Sequence, residues 1–171
     1  VNMAHHTYWN LSGDPSTDTL DHELVLHAER YLPVDEQSIP TGDLDPVEGT
    51  AMDFRDAHAI GEQIGEAPGG GYDHCWVLRG PTGGGLVPAA EAHDPKTGRV
   101  MELLTDQPGV QFYAGLFLDG SIAGKRGVKY RKHAGFCLET ENFPDSPNKP
   151  QFPSPILRPG EPAHRRIIHY P

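Results

Sequence analysis

The 171-residue sequence predicts an all-β protein with antiparallel strands, a β-sandwich or part of one, and two observations support this fold class. The chain contains 20 glycines and 17 prolines, a composition that suits many short strands joined by turns better than it suits helices. Short apolar runs also alternate with clusters of turn-forming residues. The length suffices for one hydrophobic core and no internal repeat is present, so we expect residues 1–171 to belong to a single domain.

The first half of the chain contains two predicted strands, a loop-rich stretch and one helical pattern. Residues 2–11 and 22–27 are predicted strands, and the second continues less clearly as far as residue 32. Residues 33–49 are rich in Pro, Gly and Asp, which favours short strands and loops over a helix. Residues 56–64 predict a short helix with an aspartate cap and two isoleucines on one face.

The second half consists of predicted strands and turns. Residues 89–93 and 99–105 flank the turn sequence Asp-Pro-Lys-Thr-Gly and predict a β-hairpin. Further strands are predicted at residues 72–78, 110–113, 117–118, 136–140 and 165–171.

Glu139 is an acidic residue inside one of these apolar strands. Alternation along the strand places Phe136 and Leu138 on one face, and Cys137 and Glu139 on the other. An ionisable group among apolar residues costs free energy unless it is paired or takes part in chemistry. The alternative is a solvated carboxylate on an edge strand, and the local sequence leaves both open.

Composition and motifs exclude several classes of function. The formal net charge of −10 argues against nucleic acid or an anionic membrane as a partner. No apolar run approaches the roughly 18 residues of a membrane-spanning helix. Zinc-site, nucleophile-elbow and dinucleotide motifs are absent, and the glycines at 83–85 are not followed by the Lys of a phosphate-binding loop. Cys75 and Cys137 lack metal-ligand spacing and are predicted to be buried free thiols rather than a disulfide.

Three clusters of polar residues could carry chemistry: His5 and His6, Asp73 with the histidine that follows it, and Glu139. A carboxylate with an imidazole is the usual combination for acid–base chemistry near neutral pH. Each residue also has a simpler interpretation, because most of the ten histidines are expected at the surface and Asp73 could be a turn residue. Neighbouring strand residues face opposite sides, so at most one of the two histidines should enter a given site.

Aromatic residues beside these clusters suit a sugar ligand. Tyr8, Trp9, Tyr72 and Trp76 stand next to polar groups in the sequence. Aromatic rings cover the C–H patches of a sugar ring while polar side chains bind its hydroxyls.

Taken together, the motifs resemble the aldose 1-epimerases, also called galactose mutarotases, over essentially the whole chain. Segments that match the family occur in the family's order: NMAHHTYWNL at 2–11, GYDHCWVL at 71–78, QPGVQFY at 107–113, FLDG at 117–120, GFCLETENFPD at 135–145 and LRPGE at 157–161. Several long motifs in one order are far more specific than any one of them.

The resemblance implies a galactose mutarotase-like β-sandwich that interconverts the α and β anomers of galactose, glucose and related sugars. By position, Glu139 is expected to be the general base at the anomeric oxygen and His6 the general acid at the ring oxygen. Asp73 and Gln111 are expected to hydrogen-bond sugar hydroxyls, and Tyr8 to line the site. The family needs neither a metal nor another cofactor. The expected partner is a monosaccharide, with no nucleic acid and no membrane, and the expected location is the cytoplasm.

The sequence also departs from the family pattern. The family carries an Arg and a second substrate-binding His before the motif at His6, so we expect this chain to be the C-terminal part of one aldose 1-epimerase domain, weakly active or inactive alone. Leu116 stands where the family has Asn, and Glu141 replaces a usual Gln. Glu141 shares a face with Glu139 and would raise its pKa if it points inward. The alternatives are a non-catalytic carbohydrate-binding homologue and a hexose-6-phosphate epimerase of the same superfamily.

Overall fold

The computed structural model describes residues 1–80 and 85–170. Three residues from segments discussed above, Gly83, Gly84 and Pro171, lie outside the described residues. The described chain contains ten strands: β1 (Glu23–Leu26), β2 (Ala28–Tyr31), β3 (Asp45–Pro46), β4 (His58–Ala59), β5 (Asp73–Leu78), β6 (Val87–Asp94), β7 (Arg99–Thr105), β8 (Gly109–Tyr113), β9 (Cys137–Glu141) and β10 (Ile167–Tyr170). Four short 3₁₀ helices lie at Ile64–Glu66, Pro68–Gly70, Lys125–Gly127 and Ser146–Asn148. No α-helix occurs in these residues, which confirms the predicted all-β class.

The strands form two antiparallel five-stranded sheets. One sheet has the order β10-β7-β6-β1-β4 and the other the order β3-β2-β5-β8-β9. Only His27 separates β1 in the first sheet from β2 in the second, so the chain passes between the sheets within one residue. In the described residues β9 pairs only with β8 and is therefore an edge strand.

The main core contains side chains from both sheets. The first sheet contributes aliphatic residues such as Leu24 and Leu103, whereas the second contributes Trp76 and Phe112, and all four are at most 1% exposed. The indole N–H of Trp76 donates a hydrogen bond of 3.0 Å to the backbone carbonyl of Met52. Large aromatic side chains fill such a core efficiently when their polar atoms are hydrogen-bonded. The face of the second sheet that carries Trp76 and Phe112 is therefore the face that packs against the first sheet.

The second sheet's outer face carries a smaller apolar cluster. Leu32, Cys75, Phe143 and Phe152 are buried there, and Val77 packs against them. Cys75 and Cys137 are both free and buried, which confirms the prediction for the two thiols.

Several predicted elements are confirmed. The hairpin forms between β6 and β7, with Gly98 in the left-handed region (φ 72°), where glycine is favoured. The strand from residue 22 forms as β1 and its weaker continuation as β2, and the final strand forms as β10. No helix in the described residues is long and apolar enough to cross a membrane.

The helix predicted at residues 56–64 is wrong. His58 and Ala59 instead form β4, which pairs with β1, and Ile64 begins a 3₁₀ helix. The backbone N–H of Ile60 donates to the carbonyl of His22 at 2.8 Å, and that of Gly61 to Leu20 at 2.8 Å. These distant backbone bonds replace the local bonds of a helix, which a short segment with a glycine in its middle favours only weakly.

Two predicted strands do not form as regular strands. Residues 117–118 lie in a turn after Gly115, whose φ of 66° reverses the chain before it could pair. Residues 2–11 contain only one isolated bridge, Trp9 to Phe136, with backbone hydrogen bonds of 2.7 and 3.0 Å. The segment nevertheless runs antiparallel beside β9, because the side chain of Asn2 bonds the backbone N–H of Asn142 at its other end (2.9 Å).

Candidate active site

The candidate site lies on the outer face of the second sheet, opposite the core. Side chains alternate between the two faces along each strand. The inward positions hold His74, Trp76 and Phe112, and the outward positions hold Asp73, Gln111 and Glu139. The sheet register aligns these outward residues in rows: Asp73, Tyr113 and Cys137 form one row, and Cys75, Gln111 and Glu139 the next. Asp73 is thus the first residue of β5 and not a turn residue.

His6 and Glu139 are in contact. Nε2 of His6 lies 3.5 Å from Oε1 of Glu139, with the His6 side chain half-exposed and that of Glu139 only 12% exposed. The bridge between Trp9 and Phe136 sets a register in which positions 6 and 139 stand opposite each other. The N-terminal segment therefore carries an imidazole to a carboxylate that the sheet holds.

The Glu139 carboxyl is buried although it belongs to an edge strand, so the interpretation as a solvated edge carboxylate is wrong. The residue is 9% exposed. Burial raises its pKa, the negative charge of Asp73 adds to this rise, and His6 opposes it. A carboxylate with a raised pKa is a stronger base when it is ionised.

Gln111 and Asp73 form a hydrogen-bonded pair next to Glu139. The Gln111 amide Nε2 donates to Asp73 Oδ1 at 2.8 Å, while Gln111 is the cross-strand partner of Glu139. Both side chains are partly exposed, so each retains hydrogen-bonding capacity toward a ligand. The structure thus brings together the five residues that the family resemblance assigned to the site, with Tyr8 as the fifth.

Aromatic rings border this polar group. The Tyr8 ring stacks on His6, with ring centroids 5.1 Å apart and an interplanar angle of 24°, and it is 47% exposed. Tyr113 and Phe117 stack at 6.0 Å, and Phe117 is 71% exposed. A cleft of about 340 Å³ lies between Asp73, Leu116 and Phe117 and continues the site along the sheet.

Three of the aromatic residues proposed from the sequence lie elsewhere. Tyr72 and Trp76 are fully buried in the main core because they occupy inward positions, and Trp9 packs against that core and His169. Of the histidine pair, only His6 reaches Glu139, whereas the ring of His5 lies 5.3 Å from that of His169. Adjacent residues on an extended segment diverge, as expected.

Sequence reasoning missed Tyr113 and Cys137 as site residues. Alternation along β8 places Tyr113 on the face of Gln111, and the same rule places Cys137 beside Glu139. Phe117 gave no such signal, because its position depends on the turn at Gly115.

Glu141 follows on the same outer face and is also largely enclosed. Burial, and then the charge of Glu139, raise its pKa to about 7, although a hydrogen bond from Asn2 (3.0 Å) and the charge of Arg165 oppose the rise. The charge of Glu139 thus helps to raise the pKa of Glu141, while His6 and Asp73 are the charged neighbours that shift the pKa of Glu139.

Comparison with known proteins identifies the family. A family model described as aldose 1-epimerase matches residues 1–169. The chain is 48% identical over 161 residues to galactose mutarotase of Homo sapiens and 40% identical over 168 residues to aldose 1-epimerase of Escherichia coli (strain K12). These alignments cover 94% of this chain but 46% and 47% of the relatives, so the chain spans about half the length of the curated relatives it matches.

Solved structures share the fold. A GalM/aldose epimerase homologue from C. elegans matches with a TM-score of 0.83 and 28% identity, over 99% of this chain and 48% of that one. A galactose 1-epimerase from Lactobacillus acidophilus NCFM matches with a TM-score of 0.67 and 28% identity, over 84% of this chain and 40% of that one. The match to the family model along nearly the whole sequence, supported by these relatives, shows that the chain belongs to the aldose 1-epimerase family.

Proposed function

We propose that the outer face of the second sheet is the acid–base part of an aldose 1-epimerase site, which interconverts the α and β anomers of galactose and glucose. The observation that carries the proposal is the contact of 3.5 Å between His6 and Glu139, on a face that also presents Asp73 and Gln111. The relatives, galactose mutarotase and aldose 1-epimerase, support the same reaction.

The reaction requires two proton transfers at neighbouring atoms. In a pyranose the anomeric oxygen O1 and the ring oxygen are both bonded to C1, so a base and an acid that lie close together can serve both. Glu139 takes the proton from O1 and His6 delivers a proton to the ring oxygen. The C1–ring oxygen bond breaks as the C1–O1 bond becomes a carbonyl. Rotation about C1–C2 and the reverse transfers then close the ring on the other face of the aldehyde.

The neighbouring residues hold the sugar. Asp73 accepts hydrogen bonds from hydroxyls, and Gln111 both donates and accepts them, while the exposed rings of Tyr8 and Phe117 cover C–H patches. We propose that the protein's own side chains suffice, without a metal or cofactor in the reaction. The net charge of −10 disfavours nucleic acid and anionic membranes as partners. Two buried free thiols are typical of a reducing compartment, and we propose a cytoplasmic location.

We also propose that residues 1–171 are the C-terminal part of a single aldose 1-epimerase domain. The match to about half the length of each relative supports this. The isolated chain should then catalyse weakly, because further contacts to the sugar would come from other residues of the domain.

Polarimetry of freshly dissolved α-D-galactose and α-D-glucose tests the reaction. We expect the chain to accelerate mutarotation weakly, and Glu139→Gln or His6→Asn to reduce the acceleration by about 10²–10⁴-fold, the typical contribution of general acid–base catalysis. Glu91→Gln is the matched control, because Glu91 is exposed on β6 in the other sheet. This variant should retain the wild-type rate.

The remaining outcomes separate the alternatives. Sugar binding by calorimetry without any acceleration would favour a non-catalytic carbohydrate-binding homologue. Acceleration confined to a hexose 6-phosphate would favour the phosphosugar epimerase. Rates equal to those of full-length relatives would contradict the proposal that the chain is part of a domain, and equal rates in wild type and Glu139→Gln would refute the role of Glu139.

A further inference from the structure

The candidate site brings together three different metal-binding side chains. Ligand atoms of His6, Cys137 and Glu139 all lie within 4.8 Å of one another. These side chains come from parts of the chain that are far apart in sequence, because His6 lies in the N-terminal segment (residues 2–11) and the other two lie in β9. The proposed acid–base reaction uses the imidazole and the carboxylate but does not use the thiol.

The spacing of these atoms is close to that of a zinc site. In a tetrahedral complex with Zn–N and Zn–O bonds of about 2.1 Å and Zn–S bonds of about 2.3 Å, neighbouring ligand atoms are about 3.4–3.6 Å apart. The separation of 3.5 Å between His6 Nε2 and Glu139 Oε1 already meets this requirement. The thiol sulfur needs to approach by at most about 1 Å, which small side-chain rotations of the half-exposed His6 and of Cys137 provide.

The Cys137 thiol is also free to bind. It is fully buried, and it makes no hydrogen bond to any residue within 1–80 or 85–170. It points to the same outer face as Glu139, because the two residues are two positions apart in one strand. A thiolate, an imidazole and a carboxylate form a donor set that suits Zn²⁺ and its soft relatives Co²⁺ and Cd²⁺, and suits Mg²⁺ or Ca²⁺ poorly.

We propose that His6, Cys137 and Glu139 form a binding site for one thiophilic divalent cation, with Zn²⁺ as its type, and that cation and sugar exclude each other. The cation takes the position between imidazole and carboxylate where the reaction moves protons, and the fourth coordination position faces solvent through the exposed side of His6. Cation binding stands independently of the proposed function. Mutual exclusion rests on that function, because it requires the sugar to bind at the same pair.

Metal titration of the 171-residue chain tests the site. Calorimetry with Zn²⁺ should give one cation per chain, and Co²⁺ should give the intense thiolate-to-cobalt charge-transfer absorption of a sulfur ligand. Cys137→Ser should abolish this absorption and weaken Zn²⁺ binding by about tenfold or more, since the loss of even an outer partner typically costs about 10–100-fold. His6→Gln and Glu139→Gln should weaken Zn²⁺ binding comparably.

Cys75→Ser is the matched control, because Cys75 is a second buried thiol, in the cluster with Leu32 and Phe143. It should leave both signals unchanged. Cadmium NMR of the unmutated chain, with a shift in the range of sulfur-bound cadmium, tests the same point if Cys137→Ser does not fold. Excess D-galactose should raise the apparent Kd for Zn²⁺.

Other results would overturn the proposal. No charge-transfer absorption, or equal Zn²⁺ affinity in wild type and Cys137→Ser, would exclude the thiol as a ligand. Loss of binding in His169→Gln alone would place the ion at the pair of His5 and the partly buried His169. Mutarotase activity with no cation binding would refute this inference and leave the proposed function intact. Cation binding unaffected by a sugar that does bind would refute mutual exclusion.

Discussion

Replacement of Gly109 by alanine is expected to destabilise the protein by about 1–3 kcal/mol, the usual cost of overpacking a buried site. Gly109 is the first residue of β8, on the outer face between Val77 and Glu141. A methyl group there would lie 2.8 Å from the sulfur of Cys75 and 3.0 Å from Cδ1 of Phe143. Comfortable contacts between such atoms are about 3.5–4.0 Å, and both neighbours are buried and cannot easily move away.

Urea denaturation followed by tryptophan fluorescence measures this effect in wild type, Gly109→Ala, Cys75→Ala and the double variant. Removal of the Cys75 sulfur relieves the shorter of the two contacts but leaves that with Phe143. The double variant should therefore be about 1 kcal/mol more stable than the sum of the single effects predicts. Gly65→Ala is the control, because no atom lies within 4 Å of the added methyl group, and it should change the free energy of unfolding by no more than about 0.5 kcal/mol. Wild-type stability of Gly109→Ala, or strictly additive single effects, would refute the packing argument.

Three further predictions concern the site and the core. Asp73→Ala should weaken sugar binding in calorimetry by about 10–100-fold, since a hydrogen bond to a charged group contributes about 1.5–3 kcal/mol; unchanged affinity would remove Asp73 from the site. Tyr72→Phe should lower the free energy of unfolding by about 1–2 kcal/mol, because the Tyr72 hydroxyl donates at 3.0 Å to the buried carbonyl of Ala51, and an unchanged urea midpoint would contradict this. Burial lowers the pKa of His22 in the folded chain. Below pH ~6.5 the unfolded chain therefore binds a proton at His22 more readily than the folded chain does. The free energy of unfolding should be unaffected by His22 above that pH and should fall as the pH drops below it. His22→Gln should reduce the loss between pH ~7 and pH ~5 in urea denaturation, whereas His27→Gln, at an exposed position, should not.

Much of the site followed from strand alternation and motif order alone. A two-residue period places Gln111 and Glu139 on the face opposite Phe112 and Leu138, and the structure keeps that division. Local sequence carries this information because the side-chain direction in a strand depends only on position. The same rule also places Tyr113 and Cys137 on the outer face.

The errors arose where tertiary contacts decide the backbone. Residues 56–64 have a helical pattern, but β1 offers His58 and Ala59 backbone partners that the local sequence does not reveal. Tyr72 and Trp76 neighbour polar residues in the sequence, a pattern that predicts a place beside the sugar, yet the pairing of β5 places them in the core. His6 reaches Glu139 because the N-terminal segment bonds Phe136 and Asn142, long-range contacts that no strand pattern could indicate.

Because of that N-terminal segment, the proposed acid His6 and the proposed base Glu139 are held by different kinds of structure. Glu139 belongs to a hydrogen-bonded sheet. His6 lies on an irregular stretch of chain that bonds Asn142 through Asn2 and Phe136 through Trp9, with six residues between Asn2 and Trp9. The distance between the two side chains therefore depends on the number of residues between His6 and the isolated bridge at Trp9, and not on a continuous ladder of backbone hydrogen bonds. One residue inserted or deleted between His6 and Trp9 would turn the imidazole away from the carboxylate while every strand remained in place.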